Sequence, residues 1–244
     1  MALTRRRVQG LKHAVGYHDL LADLRKPGCP ACHGSNRAAW YYLDSLLWEF
    51  VNDSTVRLRL RANRGFCREH ALMAISVASQ QAAASGMAIL YEDFLRYVVK
   101  DATRAAGART AKLRRRRPKA KPTPRPGCTV CRSATFVAEN YLRILAQAEE
   151  GSEPGRAIRC HGRGLCLPHL LQGFELARDP VEVERLLEVF NRAQAELQGE
   201  LREFIRKQDY RFRDEGFTEG EANAWARAVC RLVGEPRATR PPER

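Results

Sequence analysis

Eight residues have the types and spacing to hold metal. Cys29-Pro30-Ala31-Cys32 is followed by Cys67-Arg68-Glu69-His70, and Cys128-Thr129-Val130-Cys131 by Cys166-Leu167-Pro168-His169. Each half reads C-x2-C…C-x2-H, every element recurs at an offset of 99, and 34 residues separate the two pairs in both halves. Two ligands three residues apart grip one ion from a single turn, and a second pair brought back by a hairpin completes a tetrahedron. Three thiolates and one imidazole suit Zn²⁺. The expectation is therefore two Zn²⁺ cages, one per half: Cys29, Cys32, Cys67 and His70 in the first, Cys128, Cys131, Cys166 and His169 in the second. Four protein ligands leave no open position, so the ions are read as structural and their binding energy as folding energy. An iron–sulfur cluster is the rival occupant, since thiolates hold those too. Cys29 to His33 also matches the C-x-x-C-H haem pattern, but the second half has Arg132 where the first has His33. Three thiolates and a dication sum to −1 per site, so the formal charge of +14 falls to +12 with both cages filled.

The match extends past the ligands. Ala39, Tyr42, Leu43 and Leu46 map onto Ala138, Tyr141, Leu142 and Leu145, and Arg64 and Leu72 onto Arg163 and Leu171. The first four sit at i, i+3, i+4 and i+7, the core stripe of a helix. Gly28 and Gly127 precede the knuckles, and Gly65 and Gly164 stand two before the third cysteine, where backbone must turn tightly. Cys160, His161 and Cys230 have no counterparts and read as bystanders, as do His13 and His18.

Helical periodicity dominates. Helices are expected over 35–51, 67–84, 87–104, 133–150 and 166–178. The 56–60 stretch reads as helix over strand, 151–164 as a Gly/Pro-rich loop, and Gly86 as a break. Asp179-Pro180 is a helix start running to about Lys207, and Thr218-Glu219-Gly220-Glu221 is a capping box opening a last helix to Val233. The fold class is all-α: a duplicated zinc-knuckle helical-hairpin repeat packed into a helical body. Four segments follow: a first repeat over 1–102, a basic flexible linker over 103–126, a second repeat with C-terminal helices over 127–236, and a frayed tail over 237–244.

Ten Lys or Arg and no acid lie between Arg104 and Arg125, so ten of the +14 net charges occupy 22 residues and the rest of the chain carries +4. Arg114, Arg115, Arg116, Arg117, Lys119 and Lys121 are the densest part and the candidate nucleic-acid contacts, with Arg57, Arg59 and Arg61 as a neighbouring basic face. Such a segment attracts phosphate and releases counterions without reading sequence. Against this, 35 of the 42 basic residues are Arg, so arginine is used throughout. No apolar run has the length of a membrane span, and Arg5, Arg6 and Arg7 are followed by no apolar signal region. The chain is expected in a reducing cytoplasm, where cysteines serve metals rather than disulfides.

Tyr42 to Glu49, Val51-Asn52-Asp53, Arg64 to His70 and Asp209 to Arg213, with Trp225, resemble an uncharacterised bacterial family, a domain of unknown function with paired Cys-type motifs, over roughly residues 15–235. The resemblance implies a cytoplasmic, metal-bearing helical protein and brings no activity with it. No G-x-S-x-G, P-loop, H-E-x-x-H or deaminase arrangement is present, so the chain does not read as an enzyme. The functional expectation is a structural-zinc protein engaging nucleic acid or another polyanion. The alternatives are a zinc-pinned protein–protein adaptor and a thiol-based redox or metal sensor.

Overall fold

In the computed structural model, which describes residues 14–63, 65–115, 127–161 and 164–242, the ligand pairs sit at the starts of helices. The described residues form ten α-helices and one 3₁₀ turn, with no strand among them: α1 Tyr17–Asp23, α2 Pro30–Glu49, α3 Ser54–Asn63, α4 Arg68–Gln80, α5 Ala84–Arg115, α6 Thr129–Gln147, α7 Glu153–His161, α8 Leu167–Leu176, α9 Pro180–Arg206, the 3₁₀ turn Tyr210–Glu215, and α10 Glu219–Val233. The protein is all-α. Helix starts follow the sequence repeat, with α2 and α6, α3 and α7, and α4 and α8 each beginning 99 residues apart.

The chain forms two compact units, Met1–Asn36 with Ala134–Pro236, and Arg37–Ser133 with Arg237–Arg244. These do not follow the halves of the sequence. Helix α2 starts in the first unit and ends in the second, and α6 runs the other way, so each half of the chain contributes to both units.

In the first unit, Tyr17, Leu20 and Leu24 of the α1 region pack with Ala138, Tyr141, Leu142 and Leu145 of α6, Ile158 of α7, Leu170 of α8 and Leu186 of α9. The Tyr141 hydroxyl donates to the buried Asp23 carboxylate at 3.0 Å and the Tyr17 hydroxyl to Glu153 at 3.4 Å, so both tyrosine hydroxyls of this cluster have partners. In the second unit, Trp40, Leu43, Leu46, Leu60, Met73, Val77, Leu90 and Phe94 are buried. Arg61 of α3 binds both carboxylate oxygens of Asp93 on α5, at 2.8 and 2.5 Å. The repeat-shared stripe is thus buried in both copies, apart from the half-buried Tyr42. Leu72 and Leu171, shared outside that stripe, are both 52% exposed.

Several expectations need correction. Helix α2 begins at Pro30, not at residue 35, because proline is suited to the first helical position and Cys32 belongs to the first turn. The expected 151–164 loop contains α7, whose Gly155 allows the backbone to come close to the Glu149 carbonyl. Gly86 does not break a helix. It lies inside α5, where an added Cβ would stand 2.3 Å from the Leu47 carbonyl oxygen, so it is a contact point between α5 and α2. The linker expected from residue 103 is helical up to Arg115, and residues 116–126, with Arg116, Arg117, Lys119 and Lys121, lie outside the described residues.

The tail is held at its start: Asn36 donates to the Pro236 carbonyl at 2.9 Å, Arg237 pairs with Glu69 at 3.1 Å, and Gln80 donates to the Thr239 carbonyl. Two helix starts match expectation in detail. Asp179 accepts the Glu182 N–H, and Thr218 with Glu221 forms the capping box. No described helix is long and apolar enough to cross a membrane.

Candidate metal centres

Each ligand pair is a local product of a helix start. Cys29 immediately precedes α2 and Cys32 lies in its first turn. Cys128 and Cys131 stand in the same relation to α6, where the Cys128 carbonyl accepts the Arg132 N–H at 3.2 Å, as that of Cys29 accepts from His33 at 3.1 Å. Cys67 and Cys166 are the N-cap residues of α4 and α8, both extended, with ψ of 164° and 160°. Their carbonyls accept from Ala71 and Leu170 at 2.8 and 2.9 Å. His70 and His169 follow in the first turns. Every pair therefore faces a helix N-terminus, whose positive dipole end favours thiolate.

The pairs do not combine as their order in the chain suggests. The first cluster is Cys29, Cys32, Cys166 and His169, in the first unit. The second is Cys67, His70, Cys128 and Cys131, in the second unit. The C-x2-C of each half meets the C-x2-H of the other, so the expectation of one cage per half is overturned while all eight residues are retained. Their chemistry could not reveal this, because the two C-x2-C pairs are equivalent as ligands and so are the two C-x2-H pairs.

In the first cluster, Cys32 Sγ lies 3.6 Å from Cys166 Sγ and 3.3 Å from His169 Nδ1, with Cys29 and Cys166 Sγ 3.6 and 3.2 Å from the same nitrogen. In the second, His70 Nδ1 is 3.2, 3.8 and 3.3 Å from Cys67, Cys128 and Cys131, and the Cys67 and Cys131 sulfurs are 3.7 Å apart. A tetrahedron with Zn–S near 2.3 Å and Zn–N near 2.0–2.1 Å has edges of about 3.8 Å between sulfurs and about 3.6 Å between sulfur and nitrogen. Both clusters have that size.

The electrostatics also call for a cation. Burial opposes ionisation of Cys29, but hydrogen bonds with Cys166, Cys32 and His169 hold its pKa well below the thiol range. Its neighbour Cys32 is pushed up, by hydrogen bonds with Cys166 and Cys29 and by burial. In the second cluster burial again opposes the anion, yet hydrogen bonds with His70 and with backbone at Cys67, Cys131 and Val130 bring Cys128 down to about 6. Burial and the adjacent Cys128 charge push Cys131 up to about 12. Burial disfavours the His169 cation, but hydrogen bonds and charge from Cys166 and Cys29 raise it to about 10. Packed thiols lose protons one at a time because adjacent thiolates repel. A dication at the centre lets all three ionise together, so the residues fit Zn²⁺.

The remaining cysteine and histidine candidates whose side chains are described are not members of either four-residue cluster. His33 Nε2 lies 2.7 Å from the Pro27 carbonyl oxygen, and it is His169, not His33, that joins Cys29 and Cys32. Cys230, on α10, has its thiol pKa raised by burial and by Glu235. Cys160 lies in α7, and its side chain is outside the described set.

Two residues escape sequence reasoning altogether. Beyond α10, Gly234 (φ 90°) brings its backbone over the first cluster, where an added Cβ would lie 3.6 Å from Cys32 Sγ and 3.9 Å from Cys166 Sγ. The Glu235 N–H then points to Cys32 Sγ at 3.3 Å. The only sequence signal was a glycine just past a helix end. In the second cluster the backbone hydrogen bonds to Cys128 come from the ligand segments themselves, at Cys67, Val130 and Cys131, and the buried His70 has an Nε2 without a partner among the described residues.

The model of a family of unknown function, DUF6062, matches residues 19–239. An uncharacterized 23.9 kDa protein in the xynA 3' region of Caldicellulosiruptor sp. (strain Rt8B.4) is 26% identical over 215 residues, covering 88% of this chain and 99% of that protein. No solved structure matches.

Proposed function

The chain belongs to DUF6062, a family of unknown function, and from that starting point we propose that it is a structural-zinc protein that engages nucleic acid through its arginine-rich segment. One Zn²⁺ sits in Cys29, Cys32, Cys166 and His169 and the other in Cys67, His70, Cys128 and Cys131. The observation that carries the zinc reading is the tetrahedral spacing of both four-atom sets. The shared offset of ligands and helix starts is read as a duplication whose copies have exchanged their knuckles. With four protein ligands each ion is closed to substrate, so its role is to join two stretches of chain that are far apart in sequence. A reducing cytoplasm suits six thiolates kept for metal.

The nucleic-acid reading is supported by charge: from Ala102 to Ala138 the chain contains no acid, while Arg114 to Arg117, Lys119 and Lys121 add six cations in a short run. Metal analysis of the purified protein should give two zinc ions per chain and no visible absorbance. A value of zero, or the colour of an iron–sulfur cluster, removes the zinc reading. Neutralising the six named cations to Gln should weaken binding of a mixed-sequence oligonucleotide at least tenfold and flatten its salt dependence. Unchanged affinity would remove the polyanion reading.

A second reading, a protein–protein adaptor, is favoured by α10, where Trp225, Val229, Leu232 and Val233 lie exposed along one side. A stoichiometric protein partner that survives nuclease treatment and is lost on Trp225→Ala would support it.

A further inference from the structure

Helix α5 has 32 residues, a length of about 48 Å at 1.5 Å per residue. Among its described side chains the last buried one is Phe94. All six residues from Ala102 to Gly107 are exposed, and at about 100° per residue such a run goes more than once round the helix. An added Cβ at Gly107 would meet nothing within 4 Å. From Ala102 to Lys112 the residues that are not basic are Ala, Thr and Gly. The Thr103 and Thr110 hydroxyls bond back to the carbonyls of Val99 and Ala106. By composition this stretch has no apolar face to bury: its residues are small or basic.

The charge is also ordered. Arg104, Arg109, Lys112 and Arg115 follow one another at spacings of 5, 3 and 3. On an α-helix these positions fall within an arc of about 140°. A cationic C-terminal end is compatible with the helix dipole, so the charges do not oppose the helix that carries them.

Resting on the polyanion reading above, we propose that the C-terminal turns of α5, the segment that carries Arg104, Arg109, Lys112 and Arg115, dock in the major groove of B-form duplex DNA and engage its phosphates. The groove is about 12 Å wide and admits one α-helix. The small residues between the cations keep the rod thin enough to enter. Duplex RNA is a poor fit, because its major groove is deep and narrow. A single strand offers no groove, and its usual readers stack bases on aromatics, which are absent between residues 100 and 127.

The test is fluorescence anisotropy with the full-length zinc-loaded chain on a mixed-sequence 20-base-pair DNA duplex, the same sequence as duplex RNA, one of its single strands, and poly-glutamate. The expected order is duplex DNA at least tenfold tighter than the others, with a log–log salt slope steeper than about −3 to −4, which is the share of the four α5 contacts alone. Gly107→Pro keeps every charge but breaks the rod well beyond the buried Phe94. It should weaken duplex DNA binding at least tenfold and leave single-strand binding unchanged, with two zinc ions retained as the check on folding. Arg104→Ala with Arg109→Ala should lower the salt slope by about 2. Duplex binding that survives Gly107→Pro, or equal affinity for single strand or poly-glutamate, overturns the groove proposal while leaving a polyanion-binding protein. Absence of binding to every probe overturns both.

Discussion

The first and second clusters use the same three cysteines and one histidine, on the same two kinds of helix start, yet their surroundings differ. In the first, all three cysteines are buried, Gly234 passes over two sulfurs, and the Glu235 N–H supports Cys32. In the second, Cys67, Cys128 and Cys131 are partly exposed, and the fully buried His70 leaves its outer nitrogen without a partner among the described residues. Metal-binding histidines are normally oriented by a bond from that nitrogen. The same local motif has thus been finished to two standards, and the second cluster is expected to lose its ion first to a chelator.

Pairs of substitutions give the largest effect and test the exchange itself. Cys29→Ala with Cys166→Ala damages the first cluster alone and should leave one zinc ion per chain. Cys29→Ala with Cys67→Ala damages both clusters and should leave none, with loss of cooperative unfolding in both units. If the halves kept to themselves, these two metal counts would be reversed.

The repeat-related glycines offer a sharper contrast at lower cost. Gly65 has a φ of 86°, which an L side chain resists. Gly164 has no such backbone, but an added Cβ would stand 2.4 Å from the Ala193 Cβ. Gly65→Ala should cost about 1–2 kcal/mol through backbone strain, and Gly164→Ala about 1–3 kcal/mol through overpacking. In urea titrations, pairing Gly164→Ala with Ala193→Gly should recover much of its loss, and no side-chain deletion should rescue Gly65→Ala.

Glu235→Pro removes the N–H aimed at Cys32. Hydrogen bonds to charged groups contribute about 1.5–3 kcal/mol, so zinc should leave the first cluster about tenfold faster or more, narrowing its advantage over the second. Chelator competition read with a colorimetric zinc dye would show this, and an unchanged slow phase would count against the contact.

The smallest effect belongs to the second unit's Arg61–Asp93 pair. The Arg61 hydrogen bonds hold the Asp93 carboxyl below its usual range. A depressed carboxyl stabilises the fold above its unfolded pKa, and that contribution fades as pH falls through the folded value. Asp93→Asn should therefore lower the melting temperature slightly at neutral pH and make no difference in strong acid, where the carboxylate is already protonated.

Much of this was legible before any coordinates. Helical periodicity gave the all-α class, and the caps at Asp179 and Thr218 were readable because a cap is a contact between residues three apart. The misreadings have a common cause. Gly86 and Gly155 look like breakers until the carbonyls they approach, at Leu47 and Glu149, are known. Residues 103–115 look like a tether because they lack a packing face, yet Ala and Arg are strong helix formers and continue α5 without one. The partners of Gly234, Glu235 and Arg237 could not be read from any local pattern, since they lie far away along the chain.

Sequence alone determined the eight candidate ligands and their grouping into four pairs, because a pair separated by two residues is fixed within a single helical turn. Tertiary structure decided which pair meets which. Both knuckles offer the same two sulfurs and both return helices the same sulfur and imidazole, so local chemistry gives the two pairings equal standing. The paths of α2 and α6 from one packed unit into the other remove that equality.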